Sequence, residues 1–118
     1  MTVRVGFLGA GFIATFHSKM LKGAADAGFD VEWAGVHDPD PAKVASFSAA
    51  CGAPVCDTED ELLDRSDAVF VCTWTAEHPR LVDAVVRRGL PVFCEKPLAT
   101  DLEGARAMTR AVTAAGVT

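Results

Sequence analysis

The stretch from Val3 to Ala14, VRVGFLGAGFIA, constrains the chain most, because an apolar strand runs directly into a glycine turn and then into a helix. Gly9 takes the tight turn that a side chain would block. Gly11 leaves bare backbone where a pyrophosphate must approach, and the small Ala14 at the third position lets the helix pack close to the strand. The unpaired N–H groups and positive dipole end of that helix would face the phosphates. Ala10, Phe12 and Ile13 complete the turn and are candidate dinucleotide contacts alongside the two glycines. Glycine pairs arise by chance in any chain rich in small residues, so the weight comes from their position between a strand and a helix.

Downstream, VEWAGVHDPD supplies a second apolar strand that ends in Asp38, about where such a fold places a ribose-binding acid. A carboxylate there accepts both adenosine-ribose hydroxyls and repels a 2′-phosphate, which argues for NAD over NADP. Lys43 on the following helix could still reach a 2′-phosphate, so NADP remains possible. The competing reading makes Asp38 a turn former in DPDP, where Asp and Pro are favoured for local reasons.

The chain's 118 residues suffice for one compact core and are too few for a second domain of ordinary size. Half the residues are hydrophobic and only 8% are aromatic, the balance of an α/β domain whose sheet is covered on both faces. A net charge of −5, with no basic cluster beyond Arg87 and Arg88, gives no footprint for nucleic acid. Those two arginines precede Gly89, where they neutralise a helix C-terminus. Arg4 and the glycines interrupt the first apolar run, so neither a signal peptide nor a membrane span is expected. Cys51, Cys56, Cys72 and Cys94 show no CxxC spacing and no metal-ligand pattern with His17, His37 and His78, so no metal site is expected. They read as free thiols of a cytoplasmic protein.

Taken in order, the first helix carries Ile13, Phe16, Met20, Leu21 and Ala24 as an apolar stripe and ends at Gly28, with His17 one residue off that stripe. A second strand, Val31 to Val36, precedes a helix capped by Asp40 and Pro41. A short third strand is expected at Pro54 to Cys56, followed by a TxxE box at Thr58 and Glu61. The fourth strand, Ala68 to Cys72, leads into the loop TWTAEHP and a helix burying Leu81, Val82, Val85 and Val86. A fifth, Val92 to Cys94, runs into EKP at 95–97, and Thr100 with Glu103 opens the last helix. Alternation of strands and helices throughout requires right-handed crossovers and gives a doubly wound parallel sheet of order 3-2-1-4-5. The turn at Gly9, Asp38, the loop from Thr73 and Glu95 with Lys96 all fall at the carboxyl ends of strands, where such sheets bind ligands.

GAGFIA, Asp38, TWTAEHP and EKP together resemble the Gfo/Idh/MocA family of NAD(P)-dependent oxidoreductases, which act largely on sugars and cyclitols, and the resemblance covers the whole chain. It implies a Rossmann fold, a catalytic Lys96 touching substrate and the nicotinamide end of the cofactor, and a Glu95 contact to the cofactor ribose. It also implies a loop alongside the dinucleotide to which Thr73, Trp74, Thr75 and His78 contribute, and a cis Lys96–Pro97 bond. On the residues alone, EKP reads equally as a strand end with a rigid turn. Trp74 and Thr75 stand where the family usually has Pro and Asn, and Trp74 could stack on a ligand or fill a gap under the loop. Family members continue with a sixth strand and a substrate domain carrying the acid–base residue. The chain is therefore expected to be the cofactor domain of a longer enzyme, cut near the start of that strand, inactive alone and part of a homo-oligomer at full length. A non-catalytic dinucleotide-sensing regulator is the alternative, and Lys96 speaks for the enzyme. A Rossmann domain for another nucleotide or S-adenosylmethionine is a third reading, against which EKP counts.

Overall fold

A computed structural model describes residues 1–118 as an α/β sandwich. The elements are β1 (Val3–Leu8), α1 (Phe12–Asp26), β2 (Val31–His37), α2 (Pro41–Cys51), α3 (Glu59–Arg65), β3 (Ala68–Val71), a 3-10 turn (Thr75–Glu77), α4 (His78–Arg87), β4 (Val92–Cys94) and α5 (Leu102–Ala115). All strand pairs are parallel, in the order β2-β1-β3-β4. The expected third strand is reduced to a single bridge from Val55 to Val36, so the expected fourth and fifth strands are β3 and β4. Its position beside β2 is as expected, and its brevity has a physical cause. Val36 donates to the Pro54 carbonyl and accepts from Cys56 N–H, both at 2.9 Å. Pro54 has no N–H to extend the ladder one way, and on the other side the Cys56 carbonyl, which would take the next ladder bond, is met by His37 Nδ1 at 3.0 Å.

Alternation along β1 sends Val5 and Phe7 to one face of the sheet and Leu8 to the other. Beneath one face, Val44 and Phe47 of α2 and Ala14 of α1 close the core. On the other, Leu62 and Leu63 of α3, the Leu81/Val82/Val85/Val86 stripe of α4 and Met108 of α5 do so. Helix starts follow local chemistry. Asp40 accepts from Ala42 N–H at 2.9 Å with Pro41 as the first helical residue, and Thr58 Oγ1 accepts from Glu61 N–H at 3.1 Å. The last helix departs from expectation. Asp101, not Thr100, caps it, taking the Gly104 N–H at 2.7 Å, because a carboxylate one residue on is the stronger acceptor for an N-terminus.

The packed face of α1 also differs from the expected stripe. Ala14 and Ser18 are the buried residues, whereas Phe16 and Met20 are 47% and 57% exposed. The reason lies on β2, where Trp33 reaches over the helix and donates its indole N–H to Ser18 Oγ at 2.9 Å. A small-residue face admits that indole and satisfies its polar edge, and Phe and Met turn outward.

Arg4 joins the start of β1 to the residue before β3. Its backbone N–H and Nε donate to Asp67 Oδ2 at 2.9 Å, Nη2 donates to Oδ1 at 2.8 Å, and Asp67 N–H returns a bond to the Arg4 carbonyl at 2.7 Å. The Arg4 side chain is the main cause that lowers the Asp67 pKa from 3.8 to about 2. A carboxylate depressed by folding stabilises the native state above its unfolded pKa and loses that contribution as pH falls through the folded value. Urea midpoints of the wild type should therefore fall between pH 3.8 and about 2 more steeply than those of Asp67→Asn. Parallel pH curves for the two proteins would contradict this.

Candidate functional site

With every strand parallel, four loops gather at one edge of the sheet: Gly9 to Gly11 after β1, Asp38 to Asp40 after β2, Cys72 to Trp74 after β3 and Glu95 to Pro97 after β4. Gly9 has φ +99°, and a Cβ there would lie 2.5 Å from the Cys72 carbonyl oxygen, so only glycine lets the β1 and β3 ends pass this closely. Gly11 caps α1 with no side-chain bond, and a Cβ on it would meet nothing within 4 Å. The first helical N–H with an acceptor in the chain belongs to Thr15, bonded to the Gly11 carbonyl at 3.1 Å. The N–H groups of Phe12, Ile13 and Ala14 are left open beside bare backbone, the arrangement that binds anions. Ala14 is fully buried against the sheet, whereas the Phe12 side chain is 87% exposed.

Asp38 is a turn former and also ties two loops together. Its Oδ1 accepts from Asp40 N–H at 2.8 Å, as a turn former does, and its Oδ2 accepts from Ala10 N–H at 2.9 Å, clasping the glycine turn. Ala10 N–H is thereby spent within the protein. Each Asp38 oxygen keeps acceptor capacity, and the carboxylate lines a cleft of about 280 Å³ together with Gly9, Lys43, Thr73, Trp74 and Arg80. Trp74 is 79% exposed on that cleft, so it fills no gap beneath the loop, and its ring face is available. Thr75 opens the 3-10 turn and does not line the cleft.

His78 is 1% exposed. Its Nε2 meets the Thr73 carbonyl at 3.1 Å, and its Nδ1 meets the carbonyls of Pro97 and Leu98 at 3.0 and 3.1 Å. Its ring thus stitches the Thr73 loop to the turn after β4 instead of reaching the cleft, and the expected ligand contact becomes a positioning one. The Lys96–Pro97 bond in that turn is cis. Lys96 itself is exposed, with no carboxylate paired to its ammonium.

Glu95 accepts the Lys96 N–H on Oε1 at 2.9 Å and meets His17 Nε2 through Oε2 at 2.7 Å. The His17 ring packs against both Phe70 and Phe93, with centroids 5.2 and 5.1 Å away. His17, followed by the Lys96 N–H, holds the Glu95 carboxyl below the usual carboxylate range. The sequence places His17 one residue off the expected apolar stripe and gives it no partner. Its signal was the spacing Ala14, His17, Ser18, Leu21, which is the packed face once α1 is drawn on its small residues. His17→Ala should raise the Glu95 carboxyl titration, read by carbon NMR, toward its ordinary value. An unmoved midpoint would contradict the pairing.

The geometry of this edge agrees with what the chain is similar to. The family model described as an oxidoreductase family with an NAD-binding Rossmann fold, Gfo/Idh/MocA, matches residues 3–118. An inositol 2-dehydrogenase of Cereibacter sphaeroides is 38% identical over 116 residues, which are 98% of this chain and 34% of that protein. Among solved structures, the WlbA dehydrogenase from Bordetella pertussis in complex with NADH and UDP-GlcNAcA superposes with a TM-score of 0.89 at 28% identity, over 99% of this chain and 36% of that one. GenD2 from gentamicin A biosynthesis, in complex with NAD, gives 0.88 at 30% identity, over 99% and 33%. The chain thus spans about a third of the length of these relatives. Its glycine turn, parallel sheet and family match along nearly its whole length lead to one conclusion: it belongs to the Gfo/Idh/MocA oxidoreductase family, with the NAD-binding Rossmann fold.

Proposed function

We propose that the chain is the NAD-binding part of a dehydrogenase that moves a hydride between a sugar or cyclitol hydroxyl and the cofactor. The observation that carries this reading is the convergence of open α1 N–H groups, an acceptor carboxylate at Asp38 and an unpaired Lys96 ammonium on one edge of the sheet. The bare Gly11 and the N–H groups of Phe12 and Ile13 fit a pyrophosphate, Asp38 fits ribose hydroxyls, and Trp74 offers a ring face. A bound nicotinamide supplies the hydride acceptor. Lys96 donates a hydrogen bond to the reacting oxygen and stabilises its alkoxide character, and Glu95, fixed by His17, holds the Lys96 backbone in place.

The proton needs a base, and no histidine stands free beside Lys96. His17 is held against Glu95, His37 ends β2 at the opposite edge of the sheet from Lys96, and His78 is buried among carbonyls. The base and the substrate pocket are assigned to a substrate domain beyond these residues. Inositol as substrate draws support from the Cereibacter relative, and a nucleotide sugar from the Bordetella one. The chain mixed with NAD and myo-inositol should bind the cofactor without producing NADH. Turnover by these residues alone would overturn the division of labour.

A further inference from the structure

The adenosine-side cleft holds a cation that the mechanism does not use. Arg80, near the start of α4, sits between two carboxylates. Nη1 and Nη2 donate to the two oxygens of Glu59 at 2.9 and 2.8 Å, a fork-to-fork pair, and Nε donates to Glu77 Oε2 at 2.8 Å. Glu59 opens α3 and Glu77 ends the 3-10 turn, so the guanidinium ties α3 to the segment that leads into α4. All three side chains line the same cleft as Asp38. Around that cleft, Asp38, Asp40, Glu59 and Glu77 face only Lys43 and Arg80 as cations, leaving an excess of negative charge.

Resting on the reading of this cleft as the adenosine site, we propose that the Glu59–Arg80–Glu77 clamp is a second determinant of NAD selectivity. It keeps Arg80 from serving as a 2′-phosphate ligand. An arginine beside a ribose carboxylate would otherwise offset that carboxylate, because its planar fork pairs with phosphate oxygens in two places at once. Here the Nη1/Nη2 fork is occupied by the two oxygens of Glu59, and the Nε side of the guanidinium by Glu77. A 2′-phosphate entering the cleft meets Asp38 with no free arginine to compensate. The Glu59 carboxyl lies below the ordinary carboxylate range, with the Arg80 hydrogen bond as its main cause, so the clamp stays charged at neutral pH.

The test is calorimetric titration of the 118-residue chain with NAD and with NADP. Variants are Glu59→Gln/Glu77→Gln and the same pair with Arg80→Gln added. Glu77→Gln alone, which leaves α3 untouched, covers the case in which the double variant does not fold. Freeing Arg80 should tighten NADP on the order of tenfold while NAD changes little, and adding Arg80→Gln should remove that gain. Glu77→Gln alone should give a smaller gain of the same sign. An unchanged NADP to NAD ratio, or a gain that survives Arg80→Gln, would overturn the clamp while leaving the cofactor reading intact. Failure of the wild type to bind either dinucleotide would overturn the cofactor reading, and the clamp's role with it.

Discussion

Gly9→Ala should destabilise the domain by about 3–5 kcal/mol, combining backbone strain of ~1–3 kcal/mol with overpacking of similar size. The residue sits at φ +99°, which L side chains rarely adopt, and the new methyl would lie 2.5 Å from the Cys72 carbonyl oxygen and 3.0 Å from the Thr73 nitrogen. Neither neighbour can yield, because Cys72 N–H is bonded to the Leu8 carbonyl at 2.8 Å and Gly9 N–H to the His37 carbonyl at 2.8 Å. For a domain of this size the melting temperature should drop by roughly 10–20 °C. Gly11→Ala is the control: φ is −80° and a Cβ meets nothing within 4 Å, so stability should hold while dinucleotide affinity falls. Circular dichroism melts of both variants check the pair. A Gly9→Ala melt close to wild type would show that the β1 and β3 ends can separate at little cost.

Lys96→Ala, made in protein that also carries the substrate-binding part, should lower kcat by about two to three orders of magnitude while changing NAD affinity by less than about threefold. The asymmetry follows from where the ammonium stands. It is exposed beyond the end of β4 and does not line the Asp38 cleft, so it has little ground-state contact with the adenosine. Charge on the reacting oxygen develops only as hydride departs, and a group acting on that charge shows in kcat. Lys96→Arg should recover little, because a planar fork is a poor replacement for a compact point charge aimed at one atom. Parallel losses in kcat and NAD affinity would make Lys96 a binding residue.

How much of this was legible in the residues depends on the range of the interactions. The glycine turn, the Asp40 and Thr58 caps and the α4 stripe are written within a few positions of one another, and all appear where the spacing puts them. The expected strand at Pro54 to Cys56 shrank because Pro54 has no N–H and the His37 ring met the Cys56 carbonyl, a competition that an apolar run does not reveal. The α1 face was misread because its partner, Trp33, lies on another element, and only the fold shows that a small residue was needed beneath it. His17 and His78 were underread for the same reason. Each is a lone histidine in sequence, and each gains its role from a segment about eighty or twenty positions away, at Glu95 or at Pro97. Arg80 likewise joins Glu59 to Glu77 across a gap that periodicity cannot bridge.

The central claim is that the open N-terminus of α1 and the Asp38 carboxylate together hold a dinucleotide, and calorimetric titration of the chain with NAD tests it most directly. Saturable binding of one NAD per chain is expected, weakened by Gly11→Val, whose side chain would stand over the bare backbone, with the melting temperature unchanged. A folded chain that shows no saturable heat with NAD, or a Gly11→Val variant that binds it as tightly as the wild type, would contradict the claim.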